Sequence, residues 1–417
     1  MESWEEGIDC CSWAGVTCDR MGRDVIGLDL SDSGLQGTIP SNSSLFHLSH
    51  LQWLNLSFNN FSPSPISSGF GQFGKLKYLN LSRSQFSGQV PLELSYLSKL
   101  TSLDLSGNTE VSIGKSVMDR LVQNLTKLRE LHLDKVKMST VLPSSLMNLS
   151  SSLTSLTLFG CGLQGRLPDN IFRLPNLRVL TLNGNSKLIG VFPTANWSSP
   201  LRVLGICHMH FLGELPKSIG NLRYLTHLGL VNCNFNGPIP ASLGNLTQLT
   251  FLDLSFNNFR DEIPSSLSNL KVLSFLNLKS NNLRGKLPPS LSSLKALSYM
   301  DFQSNNLSGT IPVSFGGLTK VMYFCLSSNN FTGQIPSSLS KLEDLTYLDL
   351  ANNNFVESLP RKNLVYLNLH ANMLQGRLLV PPPSIGVFVI SNNYLIGEIP
   401  SSICNLSSLQ VLDLSLQ

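Results

Sequence analysis

Between Leu225 and Pro360 the hydrophobic and polar positions recur at a fixed 24-residue step, in six copies beginning at Leu225, Leu249, Leu273, Leu297, Val321 and Leu345. One copy reads Leu249-Thr-Phe-Leu252-Asp-Leu254-Ser-Phe-Asn257-Asn-Phe259 and closes on Ile263-Pro264. Leu252 and Leu254 alternate with Phe251, Asp253 and Ser255, the period-two pattern of a short strand buried on one face. So brief a strand hides its leucines only when the next copy stacks beside it in parallel. The pattern therefore predicts a repeat solenoid with a continuous core.

Two polar or special positions keep step with the leucines. Asn257, Asn281, Asn305, Asn329 and Asn353 fall at one buried turn, where each amide can bond backbone groups otherwise left unsatisfied. Seven residues later stands Pro264, Pro288, Pro312, Pro336 or Pro360. Proline removes a backbone donor, so extended or single-turn segments are expected on the outer arc instead of long helices.

Outside the regular block the same strand phrase starts at Val25, Leu51, Leu76, Leu100, Leu128, Leu153, Leu177 and Leu201, and again at Leu364, Ile385 and Leu409. That makes about 17 repeats, the last cut short. We read residues 1–24 as a partial N-terminal cap and 25–417 as one solenoid, irregular over 100–216 and regular over 225–360. The step stretches to 28 between Leu100 and Leu128, which predicts an enlarged outer loop over Thr109–Gln123. Between Leu345 and Leu364 it shrinks to 19, so part of the outer arc is missing there. The asparagine position holds Ser33, Ser84, Cys161 or Cys233 in other copies, all able to make a weaker version of the bond. Val136 and Met209 cannot. With about 5 Å per strand, the stack would be about 80 Å long, and it reaches Gln417 without a closing cap.

Composition narrows the function classes. Charged residues are 13% of the chain and hydrophobic ones 42%, which excludes a disordered polyelectrolyte. A net charge of +4 with no Lys/Arg block gives nucleic acid little to hold. No run of 18 apolar residues is present, so no membrane span is expected in this chain. The acidic start, Met1-Glu-Ser-Trp-Glu-Glu, does not read as a secretory signal. Asn-x-Ser/Thr acceptors stand at Asn42, Asn55, Asn60, Asn80, Asn124, Asn148, Asn196, Asn245, Asn306, Asn330 and Asn405. Composition alone would supply most of that number, so they support secretion only weakly.

Apparent catalytic motifs fail on context. Gly69-Phe-Gly71-Gln-Phe-Gly74 has dinucleotide-loop spacing but leads into a repeat strand, not a helix. The stretch Gly107–Ser116 ends in Gly-Lys-Ser, with six residues between its glycines where a phosphate loop needs four. Cys207-His208-Met209-His210 brings soft metal ligands together, yet strand alternation sends Cys207 and His208 in different directions. No acid pair or Ser/His/Asp set recurs at coupled positions, and a solenoid surface seldom makes a closed, dry pocket. We expect no catalysis, cofactor or metal.

The first residues carry Trp4 and Asp9-Cys-Cys-Ser-Trp13-Ala-Gly-Val-Thr-Cys18, a segment suited to covering the open edge of a first repeat. With the phrases Leu307-Ser-Gly-Thr-Ile-Pro312 and Phe331-Thr-Gly-Gln-Ile-Pro336, it resembles the extracellular part of plant leucine-rich-repeat receptors. The nearest likeness is to the kinase-less receptor-like proteins that include pathogen-resistance receptors. Phe172-Arg-Leu-Pro-Asn-Leu-Arg-Val-Leu180, Asn196-Trp-Ser-Ser-Pro200 and Phe211-Leu-Gly-Glu-Leu-Pro-Lys-Ser-Ile-Gly220 extend the likeness over essentially the whole chain. The resemblance implies a right-handed superhelix, a horseshoe with a parallel sheet on its concave face. It would be displayed outside the plasma membrane, in the apoplast. It would recognise a protein or peptide there and signal through leucine-rich-repeat receptor kinases. It also implies a Cys11–Cys18 disulfide and a Cys10 partner upstream. The family's signal peptide would precede Trp4, and further repeats and a membrane helix would follow Gln417.

Two sets of inner-face residues are candidates for ligand binding. The regular repeats offer an aromatic column, Phe251, Phe275, Tyr299, Tyr323, Tyr347 and Tyr366. Such a column can be a recognition strip or cross-strand packing. We favour packing, because the column lies in the most repetitive repeats, where specific information is least. The irregular repeats offer Glu130, His132, Asp134 and Lys135 on one strand, then Phe159, His208 and His227, and ligand specificity is expected there. Other function classes that fit the pattern are a secreted inhibitor of cell-wall-degrading enzymes, like the polygalacturonase-inhibiting proteins, a receptor-kinase ectodomain, or a non-functional truncated paralogue.

Overall fold

The computed structural model of the protein describes residues 4, 7–195, 197, 199–357, 363–378 and 380–415. Pro360 and Asn196, singled out above, lie outside the described residues. Contacts divide the chain into two compact units, Met1–Val191 with Ser198–His210, and Phe192–Trp197 with Phe211–Gln417.

The first unit opens with the cap. A 3-10 turn, Cys10–Ser12, is capped by Asp9, whose carboxylate accepts from Cys11 N at 3.0 Å. Strand Val16–Cys18 pairs antiparallel with Val25–Asp29, the Cys11–Cys18 disulfide closes the segment, and Trp4 stacks on Trp13 at 4.9 Å. From Val25–Asp29 parallel strands follow in register: Trp53–Asn55, Tyr78–Asn80, Ser102–Asp104, Glu130–His132, Ser155–Thr157, Val179–Thr181 and Val203–Gly205.

The second unit continues the pattern with His227–Gly229, Phe251–Asp253, Phe275–Asn277, Tyr299–Asp301, Tyr323–Cys325, Tyr347–Asp349, Tyr366–Asn368, Val387–Val389 and Val411–Asp413. Every strand phrase of the sequence thus yields a strand. The central residue of each points inward: Leu252, Leu276, Leu348 and Leu367 are fully buried. At roughly 2 kcal/mol per buried leucine, these rows are the main source of stability.

The asparagines form the expected ladder. Asn257 Nδ2 donates to Leu230 O at 2.7 Å in the preceding repeat and to Leu254 O at 3.0 Å in its own, while its Oδ1 accepts from Cys233 N and Phe235 N at 3.1 and 3.0 Å. Asn281, Asn305, Asn329 and Asn353 repeat the donated bonds and each accept one N–H from the preceding repeat, and Asn59, Asn108, Asn185, Asn372 and Asn393 extend the row of donors. Ser84 and Cys161 reach the preceding repeat too, at 2.8 and 3.1 Å. Val136 and Met209 are buried there without such a bond to offer.

Pro264, Pro288, Pro312 and Pro336 each precede a 3-10 turn of five residues. Adjacent turns are tied by serines: Ser242, Ser266 and Ser338 donate to the turn before, at 2.7 to 2.8 Å. Between ladder and turn, the segments Asn258–Asp261, Asn282–Lys286, Asn306–Gly309 and Asn330–Gln334 pair as a second parallel sheet. Its glycines are needed: Gly285 has φ +81°, and a Cβ there would lie 2.8 Å from Glu262 Cγ.

The enlarged segment differs from expectation. In place of a loop over Thr109–Gln123, a short strand Glu110–Ser112 leads into an α-helix, Lys115–Asn124. No proline occurs between Pro91 and Pro143, and Met118, Leu121, Val122 and Leu125 recur at helical spacing and are buried. At the shortened step, Tyr347–Asp349 still pairs in register with Tyr366–Asn368.

Candidate recognition face

In the parallel strands from Val25–Asp29 to Val387–Val389 the central side chain is buried, and the residues on either side of it present two columns on the strand face. In the second unit the first column is aromatic. Phe251, Phe275, Tyr299, Tyr323, Tyr347 and Tyr366 stack successively at 4.4, 4.3, 4.3, 4.2 and 4.2 Å. Ring faces are spent on one another, while Tyr299 Oη donates to Asp301 Oδ2 at 3.2 Å and Tyr366 Oη accepts from Asn368 Nδ2 at 3.5 Å. Burial pushes the Tyr299 phenol up to about 12 and raises those of Tyr323 and Tyr347 as well.

The third column of the second unit is mostly Asp or Asn, and its side chains are engaged in closing the strand end. Asp253, Asn277, Asp301, Asp349 and Asn368 each accept from the backbone N–H two residues on, at 2.9 to 3.1 Å. Burial raises the carboxyls of Asp301 and Asp349 above the ordinary range.

The first unit starts in the same way, with Trp53 stacked on Tyr78 at 5.1 Å and Asp29, Asn55, Asn80 and Asp104 in the third column. Both columns then change. The first runs Ser102, Glu130, Ser155, Val179, Val203, and the third runs Asp104, His132, Thr157, Thr181, Gly205. At the change, ionisable groups converge. Glu130 Oε2 accepts from Ser102 Oγ at 2.8 Å, His132 Nε2 lies 3.0 Å from Ser155 Oγ, and His132 Nδ1 lies 3.9 Å from Asp104 Oδ2. Burial alone would lower the imidazole pKa, but Asp104, with Glu130 and Asp134 behind it, outweighs burial and the net shift is upward. Burial conversely lifts Asp104, while His132 and Ser106 bring its pKa below the ordinary value.

Of the predicted site residues, Glu130, His132, Asp134, Lys135 and Phe159 are brought together. Asp134 Oδ1 accepts from Phe159 N at 2.6 Å and Lys135 N donates to Phe159 O at 2.6 Å, with the Phe159 ring 42% exposed. The strand ends at His132, so Asp134 and Lys135 lie in the following turn and not on the strand as expected; Lys135 and His208 occupy left-handed turns, φ +66° and +57°. His208 follows Val203–Gly205, three strands beyond Glu130–His132, so it stands apart from the cluster. His227 belongs to the second unit, where its ring stacks on Phe251 at 6.0 Å and its Nδ1 lies 2.9 Å from Thr226 Oγ1. Sequence reasoning missed Asp104 and Ser155. The signal for Asp104 was its place in Leu103-Asp104-Leu105, equivalent to that of Asp253.

An Asp104–His132–Ser155 series has the order of a nucleophilic relay, but its geometry suits binding. The acid is beyond hydrogen-bond reach of the imidazole. Ser155 N donates to Arg129 O at 3.0 Å and is not available to an oxyanion. The cluster can hold a cationic group and supply hydrogen bonds. Among the described residues, the one His/Cys/Asp/Glu group close enough for a metal is Cys10, Cys11 and Cys18, two of which are joined by the disulfide. Cys207-His208-Met209-His210 does not converge: Met209 is buried and His210 Nδ1 is 2.8 Å from Ser186 O.

Of the glycan acceptors, Asn55 and Asn80 lie on the strand face, half-buried, each accepting from the N–H two residues on, at 3.1 and 2.9 Å. Asn124 is also half-buried, and Asn42, Asn60, Asn148, Asn245, Asn306, Asn330 and Asn405 are exposed.

Comparison with known proteins agrees with this architecture. A leucine-rich repeat region model matches residues 154–282 and leucine-rich repeat models match 297–355, 50–73, 75–97, 272–294 and 384–406. A leucine-rich repeat N-terminal domain matches residues 1–19. Receptor-like protein 6 of Arabidopsis thaliana is 43% identical over 233 residues, 54% of this chain and 23% of the relative. Receptor-like protein Cf-9 of Solanum pimpinellifolium is 42% identical over 225 residues, 54% of this chain and 26% of the relative. The match thus spans about a quarter of those relatives' length. Among solved structures, a TDR receptor superposes with a TM-score of 0.70 at 31% identity, covering 93% of this chain and 63% of the receptor. The ectodomain of the Arabidopsis receptor kinase HAESA, in complex with an N-terminally extended IDA peptide hormone, gives 0.68 at 26% identity, covering 99% and 86%. No helix of the described residues is long and apolar enough to cross a membrane.

Proposed function

Because the chain belongs to the leucine-rich-repeat proteins of the plant receptor-like kind, we propose that it is an extracellular ligand-recognition module of a cell-surface immune or developmental receptor. Its strand face takes a protein or peptide, and signalling passes through partner leucine-rich-repeat receptor kinases. Residues 1–24 act as the cap and 25–417 as the repeats that carry this face. The observation that carries the reading is the change of both columns at Glu130–His132. There the repetitive Asx closure, which Asp104 still makes to Ser106 N at 2.9 Å, gives way to Glu130, His132 and Asp134, beside the exposed Phe159.

The cluster suits a basic side chain flanked by an apolar one. Each charge-assisted hydrogen bond contributes about 1.5–3 kcal/mol, so two lost contacts weaken binding by at least about a hundredfold. Panning a random peptide library against the secreted, glycosylated chain tests this directly. Enriched peptides should carry Lys or Arg and lose affinity on Glu130→Ala, His132→Ala and Asp134→Ala combined, with secretion unchanged. Retained affinity in that triple variant would refute the assignment, and loss on Tyr323→Ala instead would move recognition to the aromatic column.

A second reading, a receptor-kinase ectodomain, is favoured by the likeness to the TDR and HAESA receptors over more than nine-tenths of the chain. Full-length transcript sequencing separates the two, through a kinase-coding segment in one case and a short cytoplasmic tail in the other.

A further inference from the structure

The inserted helix Lys115–Asn124 builds a feature that ligand recognition on the strand face does not use. Between it and the turn Pro143–Asn148 runs a groove of about 820 Å³, lined from the helix by Lys115, Asp119, Val122 and Gln123. On its other side stand Ser144, Ser145, Asn148, Leu149, Ser150 and Ser151. Ser145 is only 8% exposed, and its hydroxyl makes no hydrogen bond. The Asp119 carboxylate on the helix side of the groove is paired with Lys115 Nζ at 3.1 Å. A buried hydroxyl without a partner costs about 1–3 kcal/mol, so a ligand that satisfied it would be favoured.

The rim of the groove is itself an acceptor sequence. Asn148-Leu149-Ser150 is an Asn-x-Ser site whose three residues all line the groove, and the Asn148 side chain is exposed. Ser150 Oγ donates to Thr126 O at 2.7 Å, which fixes the site against the foot of the helix. The neighbouring acceptor Asn124 is half-buried, with its Nδ2 3.5 Å from Ser95 Oγ, and is not part of the lining.

We propose that the groove is the bed of an N-linked glycan carried by Asn148, whose first N-acetylglucosamine units lie between helix and turn and take up the Ser145 hydroxyl. The inference rests on the secreted reading given above. Asn148 Nδ2 forms the bond to the anomeric carbon of a lipid-pyrophosphate-linked oligosaccharide supplied by the secretory pathway. The lipid pyrophosphate leaves as the amide gives up one proton. A sugar of this class matches the lining: its hydroxyls and acetamide meet serines, Gln123 and the Lys115/Asp119 pair, while its CH face meets Val122 and Leu149. The groove volume falls within the roughly 300–1,000 Å³ of ligand pockets. Tethering at the rim makes individually weak sugar contacts sufficient, because the effective concentration is set by the covalent link.

The test is to secrete the whole chain from plant cells, map occupied sites by glycopeptide mass spectrometry, and follow enzymatic glycan release from the native protein. The Asn148 glycan should be released about tenfold more slowly than the one on exposed Asn330, and Lys115→Ala with Gln123→Ala should remove the difference. A Tm cycle of Asn148→Gln with Ser145→Ala keeps the idea falsifiable without depending on one variant. Removing the hydroxyl should lower Tm when the glycan is present and raise it when the glycan is gone. Equal release rates, zero coupling in the cycle, or protection of an Asn124 glycan instead would overturn the proposal. An empty Asn148 beside occupied Asn245 and Asn330 overturns it and leaves secretion standing, whereas no occupied site at all removes the secreted reading first.

Discussion

At the scale of the residue, His132 shows how neighbours decide the charge of a half-buried group. Desolvation lowers its pKa, but the Asp104 carboxylate 3.9 Å away prevails, and the pKa rises. Because the folded value lies above the unfolded one, His132 contributes stability that is complete below pH about 6.5 and is lost as pH rises through the folded value. Asp104, whose folded pKa is depressed, contributes in the opposite sense: its share is present above the ordinary carboxylate range and lost as pH falls through the folded value. Asp104→Asn should therefore bring the His132 titration, followed by NMR of histidine-labelled protein, down toward or below its ordinary midpoint. It should also flatten the stability profile above that midpoint. An unchanged titration would show that Asp104 is not what holds the proton. Asp104 was not legible as part of the site because in most repeats the same position only closes a strand, as Asp253 does at 3.0 Å to Ser255 N. What makes it different is the histidine on the next strand, a relation between repeats that no single phrase displays.

At the scale of the element, leucine spacing made the strands legible. A residue in L-x-x-L-x-L has one way to be buried, and the ladder asparagine follows from the backbone groups that the turn leaves unpaired. The helix Lys115–Asn124 was not legible, since a lengthened step signals extra chain without saying what the extra chain does. Its Met118, Leu121, Val122 and Leu125 carry the answer at helical spacing, hidden in a leucine-rich background of another period. The left-handed residue just before the ladder position also escaped, because its identity varies: Arg83, Lys135, His208, Phe256 and Ser304 all adopt it. For that reason Lys135 and His208, read as strand-face candidates, sit on turns. If the helix is held by its buried stripe, Leu121→Ala should cost about 3 kcal/mol in denaturant unfolding. Gln123→Ala on the exposed face should stay within about 0.5 kcal/mol. Equal effects would mean that the helix is not packed as described.

At the scale of the whole molecule, each repeat borrows its core from its neighbours, so protection should follow burial between them. In the second unit the central leucines Leu252, Leu276 and Leu348 are fully buried between neighbouring strands, whereas the outer turns carry exposed side chains such as Val313 at 71%. Hydrogen exchange should be slowest near Phe275–Asp301 and faster in the outer turns such as Val313–Gly317, by several orders of magnitude, given opening free energies that run from near zero to the global value. Uniform protection across the second unit would contradict a nearest-neighbour solenoid.

The ladder has one more implication. Asn329 donates to Phe302 O in the repeat before and Leu326 O in its own, and accepts from Leu307 N. Asn305 does the same with Leu278, Phe302 and Leu283. Both rungs ask their predecessor for the same two backbone atoms and never for a particular side chain. A whole 24-residue unit can then be cut out or copied by a crossover within the regular block, and the rejoined rungs find their partners at once. Such a gene can shorten or lengthen its surface without passing through an unstable intermediate. That freedom suits a detector whose targets change faster than its scaffold.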